Sequence, residues 1–85
     1  MNAIFFDSNA GDAESGFILW FPQSIRGLHE LPGGPQEGME IELLMPNELH
    51  CLSRLKYDSE LGYWRAVVIT GTMRLIASGG STSQP

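Results

Sequence analysis

The chain has 85 residues, 42% of them hydrophobic and 18% charged, with ten Asp or Glu against five Lys or Arg for a formal charge of −5. This describes one small acidic domain: a second core does not fit, and the apolar fraction is too high for a chain that stays unfolded. A lone cysteine, Cys51, excludes an intramolecular disulfide framework and a multi-cysteine zinc site, and points to a reducing, cytoplasmic setting.

In chain order, Ala3 to Phe6 reads as a short apolar strand closed by the loop residues Asp7 to Asp12. No basic residue precedes it, unlike a secretory leader. A second strand, Phe17 to Phe21, stops at Pro22. It is also the longest apolar run, far short of the ~20 residues that cross a bilayer, so no membrane is expected. Ile25, Leu28 and Leu31 stand three apart, which predicts at most one short helical turn near residues 23–31, weakened by Gly27 and ended by Pro32 to Pro35.

From Gly38 the period changes to two. Met39, Ile41, Leu43 and Met45 alternate with polar positions, Pro46-Asn47 suits a tight turn, and Leu49, Cys51, Ser53, Leu55 and Tyr57 alternate again. A helix over residues 47–57 competes with this second strand, since Leu49, Leu52 and Leu55 are also three apart and Asn47 suits a helix cap. Asp58 to Gly62 reads as a five-residue hairpin loop, Tyr63 to Thr70 as the strand behind it, and Thr72 to Ala77 as the last strand. The expected fold is mostly β: a small antiparallel barrel or curled sheet of about six strands over residues 1–77, followed by a flexible tail, residues 78–85.

The stretch Tyr57-Asp58-Ser59-Glu60-Leu61-Gly62-Tyr63-Trp64-Arg65-Ala66-Val67-Val68 is similar to the distal hairpin of Tudor-type proteins, and Gly38 to Ile69 resembles the core of the wider SH3-like barrel family, over about a third of the chain. The resemblance implies a cation–π cage for methylated lysine or arginine built from Tyr57, Tyr63 and Trp64. Alternation along the strand puts Trp64 on the opposite face from Tyr63, so cross-strand packing is the competing role for these aromatics.

Enzyme chemistry is not expected. Asp7-x-Asn9-x-Gly11-Asp12-x-Glu14 lacks the glycine and the closing glutamate of a calcium loop, His29 and His50 have no partner at metal-ligand spacing, and His50 and Cys51 are adjacent, so they diverge and form no nucleophile–base pair. Gly33-Gly34 has no following lysine to make a phosphate cradle. No catalytic residue, metal ligand or cofactor is predicted.

Two features point to interaction instead. Phe17 to Phe21 carries large side chains on both faces of its strand, and Leu44 and Leu52 interrupt polar faces, which leaves apolar surface for a second copy to cover. Eight acids through Leu49 face Arg26 alone, whereas Arg54, Lys56, Arg65 and Arg74 outnumber Asp58 and Glu60 after it. That balance disfavours direct contact with nucleic acid and favours a basic protein partner. The reading is a non-catalytic interaction module, self-associating as a dimer, with Ile18, Trp20 and Leu44 making the apolar contact and Glu37, Glu40 and Glu42 the charged one. An alternative is an acidic antagonist of mobile-element origin that mimics nucleic acid, with carboxylates spaced ~7 Å apart along a strand.

Overall fold

The computed structural model describes residues Ala3 to Ile76; the expected tail, residues 78–85, lies outside them. Its elements are β1 (Ile4–Phe5), β2 (Gly11–Asp12), β3 (Gly16–Ile18), α1 (Pro22–His29), β4 (Glu40–Met45), β5 (Leu49–Asp58), β6 (Tyr63–Val68) and β7 (Arg74–Leu75). The strands form one sheet in the order β1-β4-β5-β6-β3-β2, with β7 beside β5.

The middle of the sheet follows the period-two pattern. Ile41 and Leu43 on β4 and Cys51, Ser53 and Leu55 on β5 are buried, while Glu40, Arg54 and Lys56 point outward. Asn47 takes the left-handed conformation (φ 66°) that the turn between β4 and β5 requires, and the Glu48 amide closes it on the Met45 carbonyl at 2.9 Å. A helix over residues 47–57 does not form, because Cys51 pairs with Leu43 and Leu55 with Ala66. Cross-strand burial on both sides outweighs the helix propensity of the segment. The hairpin loop is one residue shorter than expected: Asp58 pairs with Tyr63, and its Oδ1 accepts the amides of Glu60 and Leu61.

The sheet is not closed into a barrel. β1 and β2 occupy its two ends and are not paired with each other, although residues 6–10 link them directly. It is nonetheless curled: the rings of Phe6, just past β1, and Phe17 on β3 lie 5.0 Å apart, and the Ile18 amide donates to the Ala10 carbonyl. Phe6, Leu19, Leu43 and Leu55 fill the inside of the curl.

Three expectations need correction. The sheet is not wholly antiparallel, since β1 runs parallel to β4 (Ile4↔Leu43, Phe5↔Leu44), a pairing that needs a crossover, which the segment carrying α1 supplies. The helix has eight residues, two turns rather than one, with proline in its first turn where a missing amide costs nothing. Gly27 helps that helix dock: a Cβ there would stand 3.2 Å from Ile4 Cγ1, and Ser24 Oγ donates to the Phe5 carbonyl. Finally, the strand expected over Phe17 to Phe21 ends at Ile18, because Phe21 is already the helix cap, and of the strand expected over Thr72 to Ala77 the described residues form Arg74–Leu75, with Ala77 lying outside them.

Candidate functional site

Aromatic side chains converge where β5 ends and β6 begins. Tyr57, the inner-face residue after Leu55, sits opposite Trp64, and their rings meet edge to face at 5.2 Å. On the other face Trp20, one residue past buried Leu19, meets Tyr63 at 5.9 Å. Both contacts have the edge-on geometry that aromatic quadrupoles favour. A cavity of about 250 Å³ opens between this cluster and the helix, lined by Leu19, Ile25, Leu28, His29, Pro35, Tyr57, Gly62, Tyr63 and Trp64. Trp20, Tyr57 and Tyr63 remain 44, 43 and 38% exposed beside it, with Leu61 exposed on the loop.

Polar groups hold this end in place. Glu37 Oε1 accepts the Tyr57 amide at 3.0 Å, standing in for a neighbouring strand. Arg65 Nε donates to Asp58 Oδ2 at 2.7 Å and its Nη1 to the Gly16 carbonyl at 3.2 Å, which ties the hairpin to β3. The Arg65 side-chain bond, helped by the Leu61 amide, holds the Asp58 carboxyl below its usual range. Tyr57 thus separates the aromatic cavity from a polar one of about 600 Å³ that includes Lys56, Asp58, Glu60 and Arg65.

The residues expected to make a partner surface are dispersed. Ile18, half-buried on β3, pairs with Arg65; Trp20 belongs to the aromatic end; Leu44, half-buried on β4, stands opposite Phe5 and His50. β5 and β6 separate β4 from β3, so Leu44 does not join the other two. Glu37 is occupied by Tyr57. Glu40 lies 3.8 Å from Arg54 and Glu42 3.9 Å from His50 Nε2, so the two β4 carboxylates face the chain's own basic side chains across the strand pair.

Glu42 and His50 also line a cleft of about 370 Å³ with Leu52, Gly71, Thr72 and Arg74. His50 Nε2 faces Glu42 at 3.9 Å, and its Nδ1 is enclosed without a hydrogen-bond partner. Cys51 is fully buried, and burial pushes its thiol up. In the acidic loop, Asp7 Oδ1 accepts the Asn9 amide and Asp12 Oδ1 the Ser15 amide, the latter holding Asp12 below its usual range. Among the described residues, no three His, Cys, Asp or Glu side chains are grouped to hold a metal ion, and no helix is long and apolar enough to cross a membrane.

No family model, curated protein or solved structure matches this chain. Sequence reasoning missed the meeting of Trp20 with Tyr63. The signal present was local, Leu19 inward and therefore Trp20 outward; the β3–β6 pairing that brings the two rings together has no local signature.

Proposed function

We propose that this chain is a non-catalytic protein-interaction module that binds a basic segment of a partner protein at its aromatic end. The observation that supports this reading is that Tyr57, Tyr63 and Trp64 line one cavity, with Tyr57 and Tyr63 substantially exposed and Trp20 packed edge-on against Tyr63 beside it. Tyrosine and tryptophan offer large, rigid contact area at small entropic cost, which is why they dominate the energetics of interfaces. The net charge of −5 on the whole chain favours a cationic partner through steering. The resemblance to Tudor-type SH3-like proteins belongs to this proposal, since the three aromatics it nominates, Tyr57, Tyr63 and Trp64, line the same cavity. A cytoplasmic location goes with it, in keeping with a single reduced cysteine.

Trp64 lines this cavity and Trp20, the other tryptophan of the chain, packs on its lining residue Tyr63, so intrinsic emission reports its occupancy. Titration with an apolar-flanked lysine- and arginine-rich peptide is expected to give a saturable emission change that weakens with salt and is lost in Tyr57→Ala. An acidic peptide of equal length is expected to give none. Identical responses to the two peptides, or no response to either, would refute the proposal.

A further inference from the structure

At the other end of β5 the described sheet stops at β7. β7 pairs with β5 through Leu49↔Leu75 and His50↔Arg74 and, among the described residues, has no strand on its far side. The bond from the Ile76 amide to the Glu48 carbonyl sets the alternation: the backbone groups of Arg74 and Ile76 turn toward β5, so those of Leu75 turn outward. An open edge of this kind is a template for another strand.

An apolar row leads up to that edge and ends there. Met45 stands opposite Leu49, and Leu49 opposite Leu75, so the three side chains share one face across β4, β5 and β7. Met45 and Leu49 pack against the core, whereas Leu75 is 83% exposed, with Met73 exposed beside it.

We infer that β7 pairs antiparallel with β7 of a second copy across a two-fold axis, with Leu75 opposite Leu75. Of the registers that the outward groups of Leu75 allow, this one lets the two Leu75 residues exchange both backbone hydrogen bonds. It sets Arg74 opposite Ile76 of the other copy. A shift that brought Arg74 opposite Arg74 would confront like charges directly. The chosen register also joins the two apolar rows into one, running from Met45 of one copy through both Leu75 residues to Met45 of the other. A surface whose continuation is itself fits a second copy, the self-complementarity of a two-fold interface.

The test is sedimentation of the full chain together with cysteine cross-linking. Wild type is expected at twice the chain mass at tens of micromolar, and Leu75→Asp at once the chain mass with unchanged far-UV circular dichroism, because the side chain is exposed. Leu75→Cys is expected to give a covalent dimer on mild oxidation, since Cα atoms of such a pair lie about 5.5 Å apart. Arg74→Cys is expected to give little, its symmetry mate being a diagonal neighbour at roughly 7–8 Å. A wild type that stays monomeric at several hundred micromolar, a dimeric Leu75→Asp, or equal cross-linking by the two cysteine variants would overturn the inference. Leu75→Asp is also expected to keep the tryptophan response to the basic peptide, which separates failure at this edge from failure at the aromatic end.

Discussion

The two ends of β5 are completed in different ways. From Leu55 to Asp58 the strand has β6 on one side and, on the other, Gly38, Met39 and the Glu37 carboxylate, which take up hydrogen bonds beyond the end of β4. From Leu49 to Leu52 it has β4 on one side but only two-residue β7 on the other. Between β6 and β7 the Thr72 hydroxyl bridges the gap, accepting the Leu52 amide at 3.0 Å with the carbonyls of Ile69 and Leu52 within reach of its proton. One end therefore has both of its backbone edges paired, and offers an aromatic surface. The other is bridged by the Thr72 side chain and a few backbone bonds to Ile69 and β7, and offers an edge. A single strand can thus carry two kinds of interaction surface, one built from side chains and one from backbone.

Core truncation gives the sharpest contrast between the ends. Leu55→Ala, deep in the closed half, is expected to cost about 2–5 kcal/mol in urea unfolding, through lost burial and the cavity left behind. Leu49→Ala, half-buried in the open half, is expected to cost about 1–2 kcal/mol, in proportion to the smaller area it removes from water. Equal losses would mean that the two halves are packed alike. Next in size is Thr72→Val, which strands the Leu52 amide and is expected to cost about 1–3 kcal/mol. Hydrogen exchange should show that cost concentrated in β7 and the Leu52 amide, with Thr72→Ser restoring protection; uniform acceleration over β6 as well would show that the bridge is not local.

The β4–β5–β6 meander was legible because its signals are local: alternation at Ile41 and Leu43 and again at Cys51 and Leu55, a Pro46-Asn47 turn, and an Asp58 to Gly62 loop. β1 was legible as a strand but not as the parallel partner of β4, since Ile4 and Leu43 are distant in sequence and parallel pairing leaves no turn between partners. Gly27 misled the helix reading because its cost to propensity is visible in sequence, while the close approach of Ile4 that it permits is tertiary. At the candidate site, Tyr57, Tyr63 and Trp64 were found through the hairpin that holds them. Ile18 and Leu44 were correctly read as side chains off the core face, but which strands lie between them is a matter of topology, which alternation does not encode.

Two electrostatic contacts on β5 extend the comparison to smaller effects. Asp58 is held low chiefly by Arg65, so its contribution to stability is present above the usual carboxylate pKa and is lost as pH falls through its depressed value. Asp58→Asn should therefore flatten the acid side of the stability profile and free the hairpin loop, seen as faster exchange of the Glu60 and Leu61 amides. Glu40 and Arg54, at the middle of the strand, differ in geometry and exposure: 3.8 Å apart, with half or more of each side chain in solvent. Water and salt screen such a pair, and fixing two long side chains offsets most of what attraction remains, so Glu40→Gln is expected to change stability by less than about 0.5 kcal/mol. It should also leave peptide binding at the aromatic end intact, because Glu40 is not among the residues lining that cavity. A larger loss, or a binding defect in Glu40→Gln, would show that the β4 carboxylates act together as a charged surface, and would return the partner contact from the hairpin end to the middle of the sheet.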